Sequence, residues 1–242
     1  MSGFHPRVAM VLAAGLGLRM RPITDTLPKP LVPIAGRTLL DRGLDALAAV
    51  GVETAVVNVH HLSGQVVRHV AARAVPKVVI SDESGGLLDS GGGIVKALPL
   101  LGENPFFVLN SDTFWIDSGG SNLDRLALAW DDRRMDILLM LADLADTTGH
   151  SGGTDFLVGA DGRLARAKGA PEGLIYAGAA VMDPRIFAGA SAEPHSLNLH
   201  FDRAIAAGRL YGMKMAGRWI TVGTPDAITA AEAAVVALCE GR

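Results

Sequence analysis

Short apolar runs alternate with helical patterns through the first half of this 242-residue chain. Strands are predicted at 7–13, 54–59, 77–81 and 105–109, and helices between them at 38–50, 62–74 and 92–101. Strands that alternate with helices pair in parallel through right-handed crossovers, and their ligands gather at the carboxyl ends of the strands. The alternation therefore predicts an α/β fold, a doubly wound, mainly parallel, Rossmann-like mixed sheet flanked by helices.

The pattern loosens after Asp112. The predicted elements there are a helix at 122–132, a strand at 136–142, a hairpin at 155–167, strands at 174–182, 210–215 and 219–222, and a closing helix at 224–238. No repeat and no long linker divides the chain, so residues 1–242 are expected to form one domain.

Charge and cysteine content exclude several classes of function. A net charge of −3 argues against nucleic acid or an anionic membrane as the main partner, since proteins that bind phosphate backbones are usually basic. The apolar run 8–14 is too short for a secretory signal, and no uncharged stretch approaches the roughly 20 residues of a membrane span. The single cysteine, Cys239, cannot form an internal disulfide and is expected to be a small apolar residue of the last helix. A cytoplasmic protein is predicted.

The segment 12–33, LAAGLGLRMRPITDTLPKPLVP, follows the first predicted strand. It fits neither standard nucleotide loop. A dinucleotide fingerprint needs Gly or Ala where this chain has Met20, and it needs a helix that four prolines forbid. A P-loop needs a Gly-Lys-Ser/Thr ending, which the segment lacks.

The same segment holds three cations, Arg19, Arg21 and Lys29. Prolines on both sides of Lys29 restrict its backbone, so its ammonium group is held in a defined place. Glycine lets backbone N–H groups approach a phosphate closely, and fixed cations stabilise the charge that builds up in phosphoryl transfer. The loop therefore predicts phosphate binding, with a solvent-exposed basic loop as the alternative.

The motif Leu-Ala-Ala-Gly-x-Gly-x-Arg-Met-x-Pro-x-Thr, followed by Pro-Lys-Pro, resembles the signature of sugar-phosphate nucleotidyltransferases, and the resemblance covers almost the whole chain. It implies the GT-A-like fold of that family. Catalytic roles are implied for Arg19, which would hold the β- and γ-phosphates, and for Lys29 at the reacting centre. A nucleotide-binding half to about residue 115 would precede a sugar-phosphate-binding half.

A second block, 88–94, resembles the family's Leu-x-Thr-Gly-Gly-Gly-Ile, whose glycine backbone reads the base. A glycine-rich helix start is the alternative. Together the blocks imply a set of nucleotide-binding residues: Leu12, Ala13, Ala14, Gly15, Gly17, Asp89, Gly91, Gly92 and Asn110.

An acid, Asp112, follows the strand at 105–109, where the cleft of a doubly wound sheet should lie. Mg²⁺ takes one or two protein carboxylates and completes its shell with phosphates and water. The resemblance to the family's Asn-Gly-Asp block implies that Asp112 binds Mg²⁺; an Asp that only begins a turn is the alternative. The family's second metal-binding Asp is replaced here by Thr221. Three explanations of that change stay open: a water bridges Thr221 to the metal, Asp112 and the triphosphate suffice to bind it, or activity is reduced.

The sugar side is marked by Tyr176-Ala177-Gly178, which resembles the family's sugar-binding strand. The residues implied to bind the sugar phosphate are Gly178, Lys168, Asn198 and Trp219. The glycine block and the Gly-x-Trp-x-x-Val-Gly-Thr ending are most similar to family members that transfer UMP from UTP to N-acetylmuramic acid 1-phosphate in cell-wall sugar recycling. Mannose-1-phosphate guanylyltransferases share much of the pattern, and Thr221 also leaves open a non-catalytic nucleotide-sugar sensor. A monomer or small homo-oligomer is expected.

Overall fold

The alternating runs of the first half do form strands and crossover helices. The computed structural model describes residues 4–240. Its helices are α1 Leu39–Ala49, α2 Ser63–Val70, α3 Asp89–Leu101, α4 Asn122–Ala129, α5 Asn198–Ala206 and α6 Pro225–Glu240. Its strands are β1 Val8–Leu12, β2 Pro33–Ile34, β3 Arg37–Thr38, β4 Thr54–Val59, β5 Lys77–Asp82, β6 Phe106–Asn110, β7 Thr113–Asp117, β8 Ile137–Ala142, β9 Thr147–Thr148, β10 Phe156–Val158, β11 Leu164–Arg166, β12 Ile175–Met182, β13 Leu210–Lys214 and β14 Gly217–Thr221.

Seven strands make the central sheet, in the order β13-β8-β12-β6-β1-β4-β5. All neighbouring pairs are parallel except those of β12, which runs antiparallel to both β6 and β8. The predicted mainly parallel mixed sheet is confirmed. β12 follows the β10–β11 hairpin directly, without the crossover helix that parallel pairing requires. It therefore pairs with its neighbours in the antiparallel direction.

Apolar cores lie on both faces of this sheet. Leucines and valines of α1, α2 and α4 pack on one face, and residues of α3 and α5 pack on the other. The spacing of Leu40, Leu44 and Leu47 predicted the buried stripe of α1, and all three are fully buried. The Thr38 hydroxyl accepts a hydrogen bond from the Asp41 N–H at 3.0 Å and caps this helix. The fold is doubly wound, as predicted.

A smaller sheet, β7-β14-β9, stands beside the main one and packs on α6 and the proline-rich loop. The sequence analysis did not predict β7, a five-residue run that contains Phe114 and Trp115 and begins three residues after the end of β6. Asp112 lies in the short link between β6 and β7, so it stands where the two sheets meet. This position gives one carboxylate access to both halves of the chain.

Several element ends differ from prediction. Helix α3 begins at Asp89, three residues early, so the glycines lie inside the helix; α2 ends at Val70, and α4 ends at Ala129. The side chain of Cys239, expected to be apolar filling, lies outside the described residues. Between residues 4 and 240, no helix combines the length and apolar character needed to cross a membrane.

Candidate active site

A cavity of about 530 Å³ opens at the carboxyl ends of β1 and β6, where the doubly wound topology predicts a ligand cleft. Its charged lining groups are Arg19, Lys29 and Asp112. The remaining lining residues are Leu12, Ala13, Gly15, Leu16, Gly17, Leu18, Pro30, Leu87, Asn110, Ser111 and Gly223. Nine residues of the predicted phosphate-binding segment thus border one cavity with the predicted metal ligand.

The proline-rich loop is folded into three single turns of 3-10 helix. Gly17 has φ +64°, and a Cβ there would lie 2.8 Å from Thr24 Cγ2 and 3.2 Å from Lys29 Cβ. The Thr24 hydroxyl donates to the Gly17 carbonyl at 2.8 Å. Glycine is therefore required at this position, since the turn needs a left-handed residue and the stem of Lys29 packs against it. The loop is stiff, as its prolines predict.

Lys29 and Asp112 form an ion pair across the cavity edge. Lys29 Nζ donates to Asp112 Oδ2 at 2.7 Å, and the lysine side chain is only 12% exposed. Partial burial lowers the effective dielectric constant around the pair, which strengthens its attraction beyond that of a surface ion pair. Arg19 reaches the opposite wall, where a Cβ on Gly223 would lie 3.7 Å from its guanidinium.

Thr221 lies beside Asp112, as the replaced metal position requires. Its strand pairs Thr221 with Thr113, and the next N–H, that of Val222, donates to the Asp112 carbonyl at 3.0 Å. Within residues 4–240, no group of three or more His, Cys, Asp and Glu residues is arranged to hold a metal ion. A single carboxylate fits a Mg²⁺ ion that draws its other ligands from phosphates and water.

The adjacent residues His60 and His61 contact different segments of the chain. His60 Nδ1 lies 2.7 Å from the Glu83 carbonyl, and His61 Nε2 lies 2.8 Å from the Thr24 carbonyl. Each imidazole holds a different loop, so the two rings cannot share a metal ion in this arrangement.

The three glycines at the start of α3 are required by internal packing. The N–H groups of Gly91 and Gly92 both donate to the His195 carbonyl, at 2.9 and 3.2 Å. A Cβ on Gly91 would lie 2.5 Å from Cδ2 of the His195 ring, and one on Gly93 would lie 2.7 Å from Glu83 Oε1. None of the three lines the large cavity, which Leu87 borders instead. Base binding by Asp89, Gly91 and Gly92 stays a prediction, and two of the N–H groups already have an acceptor.

A second cavity, of about 220 Å³, adjoins the first and shares Leu12 and Asn110 with it. Its other lining residues are Ser90, Asp155, Phe156, Arg166, Tyr176, Ser196, Leu197, Asn198 and Phe201. Arg166 is its cation: Nε donates to Asp202 Oδ1 at 2.8 Å, and the guanidinium lies 4.9 Å above the Phe156 ring.

The hydroxyl of Tyr176 is buried beside this cavity and has no hydrogen-bond partner among the described residues. Burial raises the pKa of Tyr176, and the charge of Asp112 acts in the same direction. The phenol is therefore a neutral group that can donate or accept a hydrogen bond. An unpaired buried hydroxyl costs about 1–3 kcal/mol, which a bound ligand can recover.

The four residues predicted to bind the sugar phosphate differ in where the structure places them. Asn198 lines the second cavity, and Gly178, with φ +75°, packs closely on Asn110. Trp219 is buried and donates its indole N–H to the Ala177 carbonyl at 2.9 Å, so its one polar atom is used in packing β14 on β12. Lys168 is exposed and lines neither cavity.

A sugar contact of Trp219 or Lys168 stays a prediction, and neither residue lines the second cavity. Sequence reasoning did not single out Arg166, two residues before Lys168, and it named Tyr176 only as part of a motif. The signal for Arg166 was weak: it ends a three-residue strand whose register depends on the hairpin turn, so counting along the sequence did not identify the inward position.

Known proteins are similar to this chain in sequence and in fold. Residues 9–149 match the MobA-like NTP transferase domain. An N-acetylmuramate alpha-1-phosphate uridylyltransferase of Caulobacter vibrioides is 47% identical over 94% of this chain and 96% of its own. A mannose-1-phosphate guanylyltransferase catalytic subunit beta of Danio rerio is more distant, 28% identical over 90% of this chain and 61% of its own.

Among solved structures, the inositol-1-phosphate CTP transferase of T. maritima superposes with a TM-score of 0.76 over 95% of this chain and 98% of its own. Because the two sequences are only 18% identical, this superposition shows a shared fold alone. The GT-A-like architecture implied by the motifs is thus confirmed. The chain belongs to the sugar-1-phosphate nucleotidyltransferase family, with a MobA-like NTP transferase domain.

Proposed function

We propose that this protein transfers UMP from UTP to N-acetylmuramic acid 1-phosphate, giving a nucleotide-sugar and pyrophosphate, in cytoplasmic recycling of cell-wall sugars. The observation that carries the proposal is the Lys29–Asp112 ion pair, held at 2.7 Å in the cavity that adjoins a second, smaller one. Two neighbouring cavities with a cation and a carboxylate beside them suit the joining of two phosphorylated substrates. The 47% identical relative supports the choice of base and sugar.

The triphosphate binds in the larger cavity. An oxygen of the sugar phosphate attacks the α-phosphorus in line, a new P–O bond forms, and the bond from the α-phosphorus to the bridging oxygen breaks, so that its electron pair leaves with pyrophosphate. Lys29 neutralises charge on the α-phosphate, while Arg19 and the loop N–H groups hold the departing pyrophosphate. No general base is needed, because a sugar phosphate is already an anionic nucleophile near neutral pH.

Mg²⁺ is the cofactor of this proposal, and Asp112 is the residue that would hold it. The bound ion would supply positive charge to the phosphates. Thr221 offers no carboxylate, so the proposal takes the second reading of that replacement: Asp112 and the substrate phosphates suffice. Lys29, already paired with Asp112, supplies cationic charge at the same place.

The sugar phosphate binds in the smaller cavity. Arg166 is the cation there, and a guanidinium binds phosphate or carboxylate oxygens through paired N–H donors. The neutral Tyr176 hydroxyl and the Asn198 amide supply hydrogen bonds for the sugar substituents. N-acetylmuramic acid 1-phosphate is anionic at its phosphate and at its lactyl carboxylate, and Arg166 is the cation that would meet one of them; the Asp155 carboxylate, which also lines the cavity, accepts a hydrogen bond from the Tyr176 N–H at 2.9 Å. Gly178 brings the backbone of β12 against Asn110, one of the two residues common to both cavities.

Two other functions compete with this one. The first is guanylyl transfer to mannose 1-phosphate, favoured only by the more distant relatives. The second is a non-catalytic nucleotide-sugar sensor, favoured by Thr221. Incubation with Mg²⁺, a panel of nucleoside triphosphates and a panel of sugar 1-phosphates separates all three, with pyrophosphate release as the readout. UTP with N-acetylmuramic acid 1-phosphate should give the fastest release; binding without turnover would establish the sensor.

Variants of the same assay test the residues. Lys29→Ala and Arg19→Ala should each lower turnover by about 10²–10³-fold while the fold survives. Lys214→Ala is the matched control, because Lys214 also donates to an aspartate, Asp143, at 2.7 Å but is exposed at the end of the edge strand β13. Unchanged pyrophosphate release in the Lys29 or Arg19 variant would refute the assignment.

A further inference from the structure

Glu83 is a buried carboxylate that the proposed reaction does not use. It follows β5 directly and has no exposed surface. Both of its oxygens accept hydrogen bonds from uncharged groups: Oε1 from Asn58 Nδ2 at 2.7 Å, and Oε2 from the Leu88 N–H at 3.1 Å. A buried carboxylate destabilises the fold unless its hydrogen bonds are well placed, so we expect Glu83 to have a role that offsets this cost.

The two hydrogen bonds lead to two separate segments that border the large cavity, here called its two walls. Asn58 Oδ1 accepts from the Ala13 N–H at 2.7 Å, and Ala13 begins the phosphate-binding loop. On the other side Leu88 directly follows Leu87, which borders the same cavity. A Cβ on Gly93 would lie 2.9 Å from Asn58 Nδ2, so the third glycine lets α3 pack on this pair.

We infer that Glu83 and Asn58 are positioning residues that set the distance between the two walls of the nucleoside triphosphate site. Neither side chain lines the cavity, so each acts through the backbone: Asn58 holds Ala13, which borders the cavity, and Glu83 holds Leu88, the neighbour of the bordering residue Leu87. The inference rests on the proposed function for the identity of the ligand. It assigns to Glu83 the role that the sequence left open.

The donor and acceptor roles along this chain of hydrogen bonds explain why position 83 needs a carboxylate. The oxygens of Glu83 face two donors, and this orientation of the Asn58 amide leaves its own oxygen for Ala13. A glutamine at 83 has one oxygen and one NH₂ group, so one of its two contacts becomes a donor facing a donor whichever way the amide turns. Glu83→Gln is nearly equal in volume and still breaks the chain.

A reciprocal exchange restores it. In the double variant Glu83→Gln with Asn58→Asp, the glutamine NH₂ donates to the new carboxylate and its oxygen accepts from Leu88. The second oxygen of the aspartate accepts from Ala13. Every bond is remade with the donor and acceptor roles exchanged at one link. Recovery in the double variant would therefore depend on hydrogen-bond polarity, which a loss of core volume cannot mimic.

The test measures KM for UTP, KM for the sugar phosphate and kcat for the wild type, Glu83→Gln and the double variant. In Glu83→Gln we expect KM for UTP to rise about tenfold or more, with kcat changed less than about threefold. KM for the sugar phosphate should stay unchanged. The double variant should return KM for UTP to within about threefold of the wild type. Asp136→Asn is the control, because this buried carboxylate pairs with Arg185 and Arg209 at the opposite edge of the sheet and its loss should lower Tm alone.

A double variant whose KM for UTP is as high as that of Glu83→Gln overturns the inference, and so does one that no longer folds. If Glu83→Gln itself fails to fold, a folded double variant with near wild-type KM supports it. Hydrogen exchange provides a readout independent of turnover: the amide of Ala13 or Leu88 should exchange faster in Glu83→Gln and at the wild-type rate in the double variant. Absence of turnover in the wild type would count against the proposed function, while the exchange pattern would still decide this inference.

Discussion

Gly178→Ala separates backbone strain from displacement of the active site. Gly178 has φ +75°, and a Cβ there would lie well inside 3.0 Å of Thr113 Oγ1 and 3.2 Å from Asn110 Cβ. The left-handed backbone costs alanine about 1–2 kcal/mol, and overpacking adds about 1–3 kcal/mol. For a chain of this size each kcal/mol lowers Tm by roughly 2–4 °C. Asn110 and Thr113 flank Asp112, so the shift that relieves the overlap moves the reacting centre.

Gly189→Ala is the matched control. Gly189 also has φ +75°, and a Cβ there would meet nothing within 4 Å. It should lose only the backbone contribution, about 1–2 kcal/mol, and keep its activity. Gly178→Ala should lose more stability and about 10²-fold in kcat/KM, the cost of misplacing reacting groups by about 1 Å. Thermal melts measure the loss of stability, and pyrophosphate release, read well below the lower Tm, measures the loss of activity. Equal kcat/KM in the two variants would refute the reasoning.

Three further predictions concern charge. Lys29→Ala should release pyrophosphate at least about 10²-fold more slowly than Lys214→Ala at equal Tm; equal rates would contradict the role of the ion pair. Thr221→Asp adds a carboxylate beside Asp112 and should tighten Mn²⁺ binding, followed by electron paramagnetic resonance, about tenfold; unchanged affinity would show that position 221 does not reach the metal. Burial lowers the pKa of His200, and the charges of His195 and Arg203 act in the same direction. As pH falls, the unfolded chain therefore binds a proton at His200 before the folded chain does, so stability is lost below about pH 6.5. His200→Gln should reduce the drop in urea midpoint between pH 7.5 and 5.5, and an unchanged drop would exclude His200 as its source.

Local patterns predicted the features that depend on neighbours in sequence. The stripe of Leu40, Leu44 and Leu47 identified α1, and the prolines of the loop identified a rigid segment beside the cavity. The position of Asp112 followed from the strand before it, because topology places the ends of parallel strands at one edge of a sheet. Helical and strand periodicities are local properties, so the sequence displays them directly.

Features that depend on distant partners were not predicted. The glycines of α3 are required by the carbonyl of His195 and by Glu83, and neither contact leaves a mark in the local pattern. Trp219 was assigned to the sugar because of its motif, while its indole in fact serves the packing of β14. Arg166, and not Lys168, lines the smaller cavity, because hairpin register decides which side chain faces it. The roles of the site residues stay predictions for the assays above.

The insertion of β12 between β6 and β8 has a consequence for the chain as it leaves the ribosome. β8 has only β12 and β13 as neighbours in the sheet, and all six of its residues are buried. At about 5–20 residues per second, the synthesis from residue 142 to residue 182 lasts roughly 2–8 s, during which this apolar strand has no partner. The segment 9–149 contains β8 without β12, so released alone it would carry an unpaired edge prone to aggregation. Nascent chains stalled in that interval should recruit chaperones.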